Sequence, residues 1–214
     1  MRMLPTSRAT AGLIAAGLIS LVGAAPALAA PSVTARADLN GDGTADAITL
    51  TTQTDGTEQL LSATVGGQTR TLVLPLSSTD GAQPIRVVDI NKDRKAELLV
   101  TESTGDGTTT FNIVDLGPGG FRVATTPDGQ ALRFFEGGGP GARSGYTCKE
   151  FFGTREFTIL FAVASSADPN PDFIGTLASY RFAGGVATPS SQIPIFGVKG
   201  DNPQLVVNPS ACNA

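Results

Sequence analysis

Nine residues of this chain have types and spacing suited to holding a hard cation. Asp38-Leu39-Asn40-Gly41-Asp42-Gly43-Thr44-Ala45-Asp46 puts side-chain oxygens at positions 1, 3, 5 and 9 of a short loop. Alternate residues of an extended chain point the same way, so Asp38, Asn40 and Asp42 can converge on one point. Ca²⁺ takes about six to eight oxygens at about 2.3–2.6 Å and tolerates irregular geometry. Gly43 allows the positive φ that a sharp turn round an ion requires. The backbone carbonyl of Thr44 supplies position 7, and Asp46 closes the set. The pattern returns 51 residues later as Asp89-Ile90-Asn91-Lys92-Asp93-Arg94-Lys95-Ala96-Glu97, with Lys95 in the place of Thr44. Each loop runs into an apolar stretch, 47–50 and 98–100.

The two loops differ in charge. Each has three carboxylates, but Lys92, Arg94 and Lys95 set three bases against those of the second. Arg94 also stands where Gly43 stands, and a left-handed backbone costs a side-chain-bearing residue about 1 kcal/mol or more. Of one or two Ca²⁺ ions, the 38–46 loop is therefore expected to hold the tighter. Neither loop reads as an EF-hand, which needs glutamate at position 12 and flanking helices. Position 12 is Thr49 in one and Val100 in the other. A third alternation, Asp168-Pro169-Asn170-Pro171-Asp172, has Thr176 at position 9 and two stiffening prolines, and reads as a surface hairpin loop. Glu136 and Glu150 have no spacing that marks them as a glycosidase pair.

The elements positioning these loops read as β throughout. Apolar runs are short, rich in Val and Thr, and broken by turn residues about every ten positions. Repeat 1 (32–83) carries strands near 33–37, 47–52, 59–65 and 69–74, with turns at Asp55-Gly56 and Gly66-Gly67. Repeat 2 (84–135) carries strands near 85–88, 98–102, 109–116, 121–125 and 131–135. Its Asp106-Gly107 falls one period after Asp55-Gly56, and a fixed period with repeated turn signals marks a repeat architecture. Residues 136–214 leave the period. They offer strands near 146–152, 155–164 and 174–182 and a proline-rich end, read as a C-terminal β cap over a sheet edge.

Composition narrows the function. Residues 1–29 have the layout of a secretory signal peptide: Arg2 and Arg8, an apolar run from Ala11 to Ala25, and Ala27-Leu28-Ala29 as a small-x-small cleavage site. The expected mature chain, 30–214, is a single all-β domain, secreted and free of the membrane once the leader is cut. Without Arg2 and Arg8, 13 basic residues face 19 acidic ones, a net charge of −6, which argues against nucleic acid as a partner. The chain has no histidine, which removes Ser-His-Asp and Cys-His catalysis and the usual zinc and copper sites. In an exported chain Cys148 and Cys212 most simply pair, closing a loop worth about 4 kcal/mol.

The loops, with an acid at position 9 and a strand after it, resemble those of FG-GAP and VCBS-type repeats, the calcium loops of integrin α-chain propeller blades and of many secreted bacterial proteins. The resemblance covers residues 32–135. It implies four-stranded blade-like repeats in a partial propeller-like array, with Ca²⁺ on Asp38, Asn40, Asp42, Asp46, Asp89, Asn91, Asp93 and Glu97. The expected function is a non-catalytic binding or structural module stabilised by Ca²⁺, with an extracellular protein or glycan as its ligand. A secreted hydrolase or a lectin on the same scaffold is the alternative. No nucleophile motif supports the hydrolase, and only two tyrosines and no tryptophan serve the lectin.

Overall fold

The computed structural model describes residues 32–151 and 153–214. The expected leader and its cleavage site lie outside them. The described chain is all-β, with thirteen strands in two antiparallel sheets and three one-turn 3-10 helices. The first sheet is β1 (Ser32–Ala37), β2 (Asp46–Thr52), β3 (Glu58–Val65) and β4 (Gln68–Pro75), paired in chain order. Its alternation decides its faces. Ile48, Leu50, Leu61, Ala63 and Leu74 turn inward, while Thr34, Thr49, Ser62 and Thr71 form one outward row across the strands. Gly66 and Gly67 join β3 to β4, both at positive φ, as a two-residue hairpin turn demands.

The second sheet opens the same way, with β5 (Arg86–Val88), β6 (Glu97–Gly105), β7 (Thr108–Gly117) and β8 (Gly120–Val123). Here the two repeats part. β8 pairs with only the last residues of β7, and β9 (Arg133–Gly137) takes residues 108–112 on the same side. A four-residue hairpin return cannot cover a ten-residue strand, so the rest of that edge is free to recruit β9. From there the sheet grows through β10 (Ala142–Phe151), β11 (Thr154–Ala164), β12 (Asp172–Ala183) and β13 (Val186–Lys199). The segment expected as a cap thus takes the form of further strands of the second sheet. No closed barrel or propeller ring is present among the described residues.

Residues 186–199, part of what the sequence offers as a proline-rich end, are one continuous outer strand. Pro189 and Pro194 lie in it, and its register with β12 slips twice. Proline is tolerated there because an edge strand needs only half its N–H groups.

Three cores hold the body together. The first joins the two sheets through Leu39, Ile48, Leu50, Leu61, Leu98, Val100 and Val114. Buried Gln59 crosses between them, its Nε2 donating to the carbonyls of Pro75 (3.0 Å) and Thr101 (2.6 Å). The second is aromatic. Phe134 contacts Phe111, Tyr146 and Phe157 with ring centroids 5.2–5.3 Å apart, beside the Cys148–Cys212 disulfide. The third packs Leu160, Phe173, Leu177 and Ile195 against Leu205 of the tail.

Candidate metal centre

Both loops are strand-to-strand connections anchored by the residue at position 2. Leu39 is buried in the inter-sheet core and Ile90 in the aromatic core. With that side chain fixed inward, positions 1, 3 and 5 are left to the polar side of the loop.

The loops share one hydrogen-bonded frame. Position 9 accepts from the backbone N–H of position 2: Asp46 Oδ2 from Leu39 at 3.0 Å, Glu97 Oε2 from Ile90 at 2.9 Å. Position 3 accepts from the N–H of position 5, Asn40 from Asp42 at 3.0 Å and Asn91 from Asp93 at 3.1 Å. The same amides donate from Nδ2 to the carboxylates of Asp42 and Asp93. Those carboxylates accept in turn from the N–H of position 7, Thr44 at 2.7 Å and Lys95 at 2.8 Å. Positions 4 and 6 have positive φ in both loops: 79° and 84° at Gly41 and Gly43, 62° and 67° at Lys92 and Arg94. The second loop therefore adopts the backbone that glycine permits in the first, at two non-glycine residues. The sequence flags Arg94; aligning Lys92 with Gly41 would have flagged the other.

Position 1 separates them. Asp38 is bonded from within its loop: Oδ1 accepts from Gly41 (2.7 Å) and Asp42 (3.2 Å), and Oδ2 from Gly43 (2.7 Å). Asp89, at 8 % exposure, receives no such bonds, and its Oδ1 is buried with no partner. Its backbone is held firmly instead, the N–H donating to Cys212 O (2.8 Å) and the carbonyl accepting from Arg155 Nη1 (2.6 Å). The carbonyl of Asp38 accepts from Ala96 N–H at 2.8 Å, so the loops touch.

The bases of the second loop take separate places. Lys92 pairs with Glu150 at 3.2 Å, and the Lys95 stem lies over Gly41. Arg94 borders a hollow with Arg36, Asp38 and Asp89. Electrostatics then diverge. Asp42 is exposed, and the Asn40 amide and the Thr44 N–H hold its carboxyl below the ordinary range. Glu97 is 3 % exposed, and burial pushes its carboxyl up to about 8; the charges of Asp93, Asp115 and Asp89 add to this, against the Ile90 N–H. A cavity of about 200 Å³ opens beside Asn91, Asp93, Lys95 and Glu97. Among the described residues, no three Asp, Glu, His or Cys side chains form a chelating group by themselves. The donors here are of mixed type, with an amide oxygen and a backbone carbonyl beside the carboxylates.

The remaining candidates are occupied by protein partners. Lys199 binds Asp172 (2.7 Å) and the carbonyl of Asn170 (3.2 Å) in the 165–171 connection. Glu136 pairs with Arg86, and Glu150 with Lys92 and Arg155. Asp115, Arg122 and Arg155 were not singled out from sequence. Asp115 left one trace, a charge inside the apolar strand Asn112-Ile113-Val114-Asp115-Leu116.

No family model matches the chain, and no curated protein matches it.

Proposed function

We propose that the chain is a secreted, non-catalytic module of the FG-GAP/VCBS kind whose two loops hold Ca²⁺ and are stiffened by it. One observation carries the reading. Two segments 51 residues apart build the same hydrogen-bonded frame and the same positive-φ pair, although one does so against its backbone preference. A loop kept at that cost in a residue such as Arg94 has a use for its shape. The donor set fits the ion: every group is a hard oxygen, and Asp89 Oδ1 is a buried oxygen lacking a positive partner. Carboxylate oxygens have more than one lone pair, so the loop's N–H bonds and an ion can be held together. Bound Ca²⁺ supplies positive charge and a cross-link among the loop oxygens. Asp38, Asn40, Asp42, Asp46 and the Thr44 carbonyl hold one ion; Asp89, Asn91, Asp93, Glu97 and the Lys95 carbonyl hold the other. The partner on this reading is an extracellular protein or glycan bound to the stiffened surface.

An ion that binds only the folded state adds RT ln(1 + [L]/Kd), about 2.7 kcal/mol at a hundredfold excess over Kd. For a domain of this size that is a rise in Tm of about 5–10 °C. Thermal melting of the mature chain in millimolar Ca²⁺ and in chelator tests it. A Tm indifferent to Ca²⁺ would sink the proposal.

A further inference from the structure

The cavity beside the second loop has a far wall that the loop does not supply. Asp115 of β7 and Arg122 of β8 stand there, directly opposite each other in the strand register. Arg122 donates from Nε (2.9 Å) and Nη2 (2.6 Å), and both bonds fall on Asp115 Oδ2. The other carboxylate oxygen is left to the cavity that Asp115 lines. The guanidinium lies close against Gly117 and Gly185. A Cβ on Gly117 would stand 2.7 Å from Arg122 Cζ, and one on Gly185 2.3 Å from its Nε. Across the cavity are Asp93 and Glu97. Asp89, with its buried, unpartnered Oδ1, belongs to the same loop but borders a different hollow, with Arg94 and Arg36. Three carboxylates, Asp93, Glu97 and Asp115, thus line the cavity with Lys95 and Arg122, and Asp115 is the one that the loop does not supply.

We propose that Asp115 is a further carboxylate of the second loop's cation site, meeting a divalent ion through the ion's own water, and that Arg122 is the residue that positions it. The role through water follows from spacing: no three of the acids form a close chelating group, while the cavity has room for an ion and several waters. The proposal rests on the reading of the loops as cation sites. It adds that the second site is built from two parts of the chain and the first from one.

Calorimetric titration of the mature chain with CaCl₂ tests it, the sites being identified by their loss in Asp42→Ala and Asp93→Ala. Asp115→Asn keeps the shape and removes the charge, and should weaken the second site about tenfold. The first site, unchanged in the same titration, reports an intact fold. Arg122→Gln separates positioning from bulk charge. Deleting a positive group near a cation would tighten binding if charge alone mattered, whereas loss of the clamp on Asp115 weakens it. An unchanged second site in Asp115→Asn, or a tighter one in Arg122→Gln, overturns this proposal and leaves the loop reading standing. A wild-type chain that takes up no Ca²⁺ overturns both.

Discussion

The loops at 38–46 and 89–97 are one design in two surroundings. Four hydrogen bonds and two positive-φ positions coincide, yet Asp38 is satisfied by its own loop while Asp89 keeps a buried oxygen without a partner. The first loop has no base, an exposed Asp42 and a position-9 acid buried at 8 % exposure; the second has its position-9 acid buried among three other carboxylates. The comparison teaches that counting charges along a loop and locating them in space give opposite rankings. Lys92 and Lys95 count against an ion in the sequence; in space Lys92 is drawn to Glu150, while the stem of Lys95 lies over Gly41 and the residue still borders the cavity. Asp115, 18 residues beyond Glu97, does not figure in the loop's count at all.

The largest effect expected concerns what pins each loop. The Cys148–Cys212 bridge brings the Cys212 carbonyl to the Asp89 N–H. Replacing both cysteines with serine should cost about 4 kcal/mol in denaturant unfolding. It should also raise amide exchange at Asp89 while leaving Gly43, whose N–H is bonded to Asp38, as slow as before. Equal loosening of both loops would erase the distinction.

Next comes acidity. In chelator, folded Glu97 keeps a proton up to about pH 8, whereas the unfolded chain loses it near the ordinary 4.5. The folded state binds the extra proton across that window, so stability should fall as pH rises from about 4.5 to about 8 and level off above. The Asp89, Asp93 and Asp115 charges face this group and deepen the effect. Glu97→Gln should flatten the slope, and Asp46→Asn should not; urea midpoints across the pH range decide it.

A smaller difference lies in affinity. The unpartnered Asp89 oxygen and the added Asp115 should make the second loop the tighter Ca²⁺ site by several-fold, against the order that charge counting gives. Calorimetry on Asp42→Ala and Asp93→Ala reads this directly, and the stronger site surviving in Asp93→Ala would restore the sequence order. The smallest effect is in the backbone. Gly43→Ala should cost about 1 kcal/mol by strain alone, since a Cβ there meets nothing within 4 Å. Arg94→Gly should return about half of that, both read from thermal melts.

Much of the scaffold was legible because β-structure in this chain is written locally. Alternation in Asp46–Thr52 and Glu58–Val65, and the turn pairs Gly66-Gly67 and Asp106-Gly107, fix strands and hairpins without reference to the rest of the fold. The likeness of the two loops was legible for the same reason, since each of the bonds they share spans seven residues or fewer. What the sequence hid was long-range. Nothing in residues 108–117 announces that β7 will be shared between β8 and β9. The prolines at 189 and 194 disguised a fourteen-residue strand, because their cost depends on lying at a sheet's margin. Asp115 lines the second loop's cavity from β7, and the partners of Asp89, Cys212 and Arg155, are 123 and 66 positions away.

That marginal strand has a consequence for how two copies of the molecule can meet. β13 is the last rung of a nine-stranded sheet, the kind of margin on which a second molecule could begin an endless intermolecular ladder. Two residues unable to donate and two slips in step spoil it as a template. The strand closes its own sheet and offers a neighbouring copy a poor template for strand addition.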